Sequence, residues 1–129
     1  MALTSTSLAL LGLAALFIKH FLVDFVLQNG YQLRNKGTYG HPGGLLHSGL
    51  HALFSVAALL LFTSSASVIG AVCVVEFVLH YHMDWAKDHL VRHYGWKISD
   101  RAYWHAFGFD QLIHALTYVA IASYFLILA

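Results

Sequence analysis

The sequence predicts an all-α fold, a polytopic membrane protein built as an antiparallel bundle of four transmembrane helices, and three observations predict it. Apolar residues make up 59% of the chain and charged residues 10%, with a mean hydropathy of +0.66; a soluble domain carries about 45–50% and about 25%. Four apolar stretches each have about the 17–25 residues needed to cross a bilayer. Each stretch also carries a pair of metal-ligand-type side chains four residues apart: His20/Asp24, His47/His51, His80/Asp84 and Asp110/His114. One helical turn separates i from i+4, so each pair shares a helix face.

The first span is read as residues 4–28. Its start, MALTSTSLALLGLAALF, has an apolar core with no basic residue ahead of it, the pattern of a first membrane helix rather than of a cleaved signal peptide. NGYQLRNKGTYGHPGG follows, glycine-rich and holding the lone proline, Pro42, and reads as a loop. The second span is 45–63, followed by a tight connection through Thr63–Ser67. The third is 67–90, with a polar connection from His93 to Asp100, and the fourth is 103–128. Residues 1–129 form a single integral membrane domain. One cysteine, Cys73, rules out an intrachain disulfide, and a net charge of +1 lacks the concentrated basic surface that nucleic acid requires.

Charge placement sets an expected orientation. Arg34, Lys36, Arg92, Lys97 and Arg101 lie in or beside the first and third connections, whereas the second connection and both ends carry no charged side chain. By the positive-inside rule the basic connections face the cytoplasm, and both termini face the other side of the membrane, periplasmic or extracellular. An up-down bundle then brings all four pairs into one leaflet, roughly 3–15 Å inside it at about 1.5 Å per residue.

Ionisable groups in a membrane segment cost about 2.5–3.5 kcal/mol each on insertion scales, so they are usually functional. Neutral imidazole with carboxylate is a ligand set that zinc, iron or manganese accepts. The expected metal ligands are therefore His20, Asp24, His47, His51, His80, Asp84, Asp110 and His114. With this many groups, one or two divalent ions are expected, zinc foremost. A metal-free His–Asp hydrogen-bond network is the alternative for the same residues. Gln28, Gln111 and Glu76 are candidates to support the ligands from behind. Asp84, Asp110 and Lys87 are the candidate catalytic residues, and Lys36 and Arg92 the candidate contacts to a lipid headgroup. The aromatic residues Tyr81, Trp85, Tyr94, Trp96, Tyr103 and Trp104 cluster toward the same side, as an interfacial belt does.

The strings HFLVDFVLQN, HSGLH, HYHMDWAKDHL and FDQLIHAL, together with Lys36, resemble a family of small bacterial integral membrane proteins catalogued only as a domain of unknown function. The resemblance spans nearly the whole chain and maps onto His20, Asp24, Gln28, Lys36, His47, His51, His80, Asp84, Lys87, Asp110, Gln111 and His114. No activity comes with it. More distantly, the pattern looks like that of small membrane-bound metal-dependent hydrolases.

The site itself points to metal-dependent hydrolysis of a lipid-borne ester, amide or phosphoester at the cytoplasmic leaflet. Membrane lipids are the expected partners, with a lipid-like substrate and a homo-oligomer as further expectations. A di-iron oxidoreductase would favour Glu and Glu-x-x-His pairs. A haem protein needs only two facing histidines, and a metal transporter would spread polar groups across the membrane. The orientation is testable by cysteine labelling at Ser65 and Asn35: Ser65→Cys should react from the periplasm and Asn35→Cys only from the cytoplasm, and periplasmic access at position 35 contradicts the topology.

Overall fold

A computed structural model describes residues 4–128, with Leu128 described in backbone only, and it is all-helical, with no strand among the described residues. α1 (Ser5–Phe21) runs directly into a π-helical turn (Leu22–Leu27). Then come α2 (Gly30–Asn35), α3 (Pro42–Leu59), α4 (Ala66–Tyr94) and α5 (Arg101–Leu128). Three segments are long and apolar enough to cross a membrane: Ser5–Leu27, Ala66–Tyr94 and Arg101–Ile127. α3 has 18 residues, against 29 in α4 and 28 in α5.

Local chemistry explains the boundaries. The Thr4 side chain accepts the Ser7 N–H at 3.1 Å and caps α1, as a hydroxyl N-cap does. α3 begins at Pro42, three residues before the expected start, because His41 caps it through the Gly43 N–H and Pro42 needs no intrahelical donor at that position. α4 extends to Tyr94 and stops at Gly95, whose φ of +65° is the left-handed conformation that favours glycine. The segment read as a loop contains α2. Its start is a capping box in which the Asn29 side chain accepts from Gln32 N–H while the Gln32 side chain accepts from Asn29 N–H. Glycine content hid that short helix.

α1, α3, α4 and α5 pack in a ring, α1 against α3 and α5, and α4 against α3 and α5. A small apolar core of Leu16, Ala58 and Tyr118 sits between α1, α3 and α5, flanked by Leu13, Phe62 and Ile121. Among the described residues, thirteen polar or ionisable side chains are buried against nine apolar ones, while Leu10, Ile18, Val74, Leu53 and Phe109 point outward. That inversion suits an apolar solvent outside and a polar site inside, since water is absent from the bilayer core to satisfy outward-facing polar groups.

α2 folds back onto α3. The contact is close because Gly43 and Gly44 carry no side chain: a Cβ on Gly44 would lie 3.3 Å from Lys36 Cα and 3.5 Å from Lys36 O. The approach delivers Lys36 into the interior, where it is 7% exposed. The first connection and the end of α4 meet at the same end of the molecule, where Arg92 Nη2 donates to Arg34 O at 2.7 Å. Gly44→Val should therefore push α2 outward and destabilise the protein by about 1–3 kcal/mol, the usual cost of overpacking. Thermal unfolding in detergent reads this, and an unchanged midpoint contradicts the tight α2–α3 seam.

Candidate metal centre

Each of the long helices supplies ligand-type groups from one face, at the spacing of a helical turn. α1 and its π-helical extension bring His20 and Asp24, α3 brings His47 and His51, α4 brings His80 and Asp84, and α5 brings Asp110 and His114. A π-turn is a wide turn often found at functional sites, and here it carries Asp24. All eight side chains meet in one buried cluster.

His47 is its centre. Its Nε2 lies 3.1 Å from Asp24 Oδ1, 3.0 Å from Asp84 Oδ2 and 3.3 Å from His80 Nε2. Around Asp24, His51 Nε2 stands 2.9 Å from Oδ1 and His20 Nε2 3.1 Å from Oδ2. Around Asp84, His80 Nε2 is 3.7 Å from Oδ2 and His114 Nε2 is 3.5 Å from Oδ1, with Asp110 Oδ1 3.2 Å from that same nitrogen. The His80 ring stacks between His51 and His114, at centroid separations of 3.7 and 4.0 Å.

Two sets of these side chains could hold a metal ion: Asp24, His47, His51 and His80, or His80, Asp84 and His114, the donor atoms of each set lying within 4.8 Å of one another. Ligand atoms about 2.0–2.1 Å from a tetrahedral ion stand about 3.3–3.4 Å apart. The separations above, from 2.9 to 3.7 Å, bracket that spacing. Asp84 Oδ1, Asp110 Oδ1 and His114 Nε2 are buried with no hydrogen-bond partner. They are near one another but not aligned as donor and acceptor. Leaving a buried polar atom unpaired costs about 1–3 kcal/mol, and an ion held by Asp84 and His114 would remove that cost for both.

The supporting residues divide sharply. Gln28 Nε2 lies 3.1 Å from His47 Nδ1. Gln111 Nε2 donates to Asp110 Oδ2 at 3.2 Å, and Gln111 Oε1 is 3.2 Å from His20 Nε2. Glu76 is buried and ion-paired with Lys19. Lys36, expected at a lipid headgroup, instead lies inside, with Nζ 3.2 Å from Asp84 Oδ2, because α2 folds back over α3. Burial disfavours its ammonium, but Asp84 first, then Asp88, Asp24 and Asp110, outweigh burial and hold its pKa above the usual lysine value. Lys87, expected in the chemistry, pairs with Asp88 at 2.5 Å. Arg92 stays exposed at the α2 end of the molecule.

Two residues of the cluster drew no attention in the sequence. Lys19, 5% exposed, donates to Tyr118 OH at 2.9 Å and to His51 O at 3.3 Å, and lies 4.6 Å from the centre of the Tyr118 ring. Tyr118 OH is 3.0 Å from His20 Nδ1. The signals existed: Lys19 is a lone cation in an uncharged apolar run, and Tyr118 extends the Asp110/His114 ladder by another i+4 step.

No curated protein and no solved structure matches this chain. Residues 12–129, which take in the whole cluster, match the family described as a protein of unknown function, DUF3307, and the chain belongs to that family.

Proposed function

We propose that this protein is a membrane-embedded, metal-dependent hydrolase that acts on a lipid-borne ester, amide or phosphoester at the cytoplasmic face of a bacterial inner membrane. The observation that carries the reading is the meeting of two unpartnered ligand atoms, Asp84 Oδ1 and His114 Nε2, at one buried point beside His80, with Asp110 Oδ1 next to them. One or two divalent ions, zinc first, with iron or manganese as alternatives, fit a donor set of imidazole nitrogens and carboxylate oxygens. Such an ion supplies Lewis acidity and an activated water near neutral pH. Asp110, whose Oδ2 is held by Gln111 while its Oδ1 is unpaired, would accept a proton in this reading.

In this reading α3 is the fourth membrane crossing. Its 18 residues span about 27 Å at about 1.5 Å per residue, close to the hydrocarbon thickness of about 30 Å. The four crossings are antiparallel, and both termini lie outside. The meeting of Arg92 with the first connection supports placing the basic connections on one side.

A lipid substrate is favoured by a groove of about 670 Å³ between α4 and α5, lined by Val72, Val75, Leu79, Ile113, Leu116 and Tyr124. It ends at Leu79 and Ile113, the residues immediately before His80 and His114. An acyl chain lying there would present its head end to the cluster. The ring stacking of His51, His80 and His114 leaves no slot for a porphyrin between facing histidines and weighs against the haem alternative.

Protein purified in detergent without chelator should contain about one or two equivalents of a colourless divalent metal by elemental analysis. Asp84→Asn combined with His114→Ala should lose most of it while still folding and inserting. Asp110→Asn should keep the metal and lose hydrolysis of labelled lipid esters, amides or phosphoesters in vesicles by at least about 100-fold, the scale of a general base. A metal-free wild type, or full retention in the double variant, overturns the metal centre. A metal-loaded wild type inert toward all three lipid classes overturns hydrolysis.

A further inference from the structure

We propose that Lys19 is a positioning residue that fixes the direction of the hydrogen bonds around Asp24, making His20 and His51 donors to that carboxylate rather than metal ligands. The ion then belongs to the His80, Asp84 and His114 group, with Asp110 beside it.

The inference follows from donor accounting. A lysine ammonium has three N–H donors and accepts nothing. Lys19 is ion-paired with Glu76 Oε1, donates to Tyr118 OH at 2.9 Å, and turns its remaining donor to His51, 3.3 Å from its carbonyl oxygen and 3.4 Å from Nδ1. The Tyr118 oxygen is thereby an acceptor toward Lys19, which leaves its own proton available to His20 Nδ1, 3.0 Å away. A neutral imidazole carries one proton, and when Nδ1 accepts, that proton sits on Nε2. His20 Nε2–H then faces Asp24 Oδ2, 3.1 Å away, and Gln111 Oε1, 3.2 Å away, and can serve both only as a shared donor. His51 Nδ1 shares the Lys19 donor aimed at the His51 carbonyl, and His51 Nε2–H donates to Asp24 Oδ1 at 2.9 Å, as an acceptor-only carboxylate requires.

A second route, independent of Lys19, gives His20 the same polarity. The Asp110 carboxylate accepts from Gln111 Nε2 at 3.2 Å, which turns the amide so that its carbonyl oxygen faces His20 Nε2, also at 3.2 Å. A carbonyl oxygen there requires a proton on His20 Nε2. A nitrogen that carries a proton offers no lone pair to a metal, so His20 and His51 are withdrawn from the ligand set. His114 Nε2, by contrast, has no hydrogen-bond partner. This division also answers why so many histidines crowd one site: those around Asp24 act as a clamp and those around Asp84 as ligands.

The consequence for metal placement rests on the metal reading above, whereas the polarity does not, and one experiment separates them. Full-length protein with 15N-labelled histidine, in lipid nanodiscs without added metal, is measured by long-range 15N–1H correlation. His20 and His51 should both show the proton on Nε2. Replacing the ion pair together, Lys19→Met with Glu76→Gln, should shift His51 toward the Nδ1–H form, and Lys19→Arg, which restores a donor-only cation, should keep the wild-type form. After loading with zinc, His51→Gln should retain one ion per chain and His114→Gln should lose it. A proton on Nδ1 of His51 in the wild type, an unchanged His51 in the double variant, or zinc loss in His51→Gln overturns the inference.

Discussion

Two carboxylates buried among apolar helices, Asp24 and Asp84, impose the constraint on which the rest of the structure depends. Each must be surrounded by donors, because removing partners from a buried charge costs about 3–5 kcal/mol. The partners come from all sides: His20 from α1, His47 and His51 from α3, and Lys36 from the end of α2, while His80 and His114 stand 3.7 and 3.5 Å from Asp84 without hydrogen-bonding to it. His47 Nε2 touches both carboxylates and so ties the two halves of the cluster together. In an apolar solvent, where burying Leu against Leu gives little advantage over leaving it against lipid, these polar contacts do much of what a hydrophobic core does in water.

That constraint accounts for features that otherwise look incidental. The glycines at the start of α3 let α2 come close enough for Lys36 to reach Asp84. The small apolar core of Leu16, Ala58 and Tyr118 lies where α1, α3 and α5 meet, and Tyr118 closes it with a hydroxyl that serves His20. Lys19 and Glu76 neutralise each other there, so a cation inside an apolar helix is tolerated.

The helical character and the site were legible for the same reason: the i+4 spacing of four His/Asp pairs is a direct statement of which faces turn inward. Glu76 was legible as an inward carboxyl but not its partner, because Lys19 lies next to His20 rather than one turn away and only tertiary packing brings it opposite α4. Lys36 was legible as a cation but not as a buried one. Its placement depends on α2, a helix of six residues whose capping box was masked by neighbouring glycines and by Pro42. The groove between α4 and α5 has no sequence signature, since Val75, Leu79, Leu116 and Tyr124 in its lining are apolar side chains of the same kind as the exposed ones elsewhere on these helices.

A divalent ion held, as proposed, among the interior imidazoles and carboxylates has a direct signature in X-ray absorption at the zinc edge, recorded on protein in lipid nanodiscs. Such an ion gives a first shell of nitrogen and oxygen only, at about 2.0–2.1 Å, with the outer-shell scattering of about two imidazoles. A shell of water oxygens without imidazole scattering would place the ion outside the cluster, and a sulfur distance of about 2.3 Å would place it on Cys73; either result rules out an ion in the His/Asp cluster.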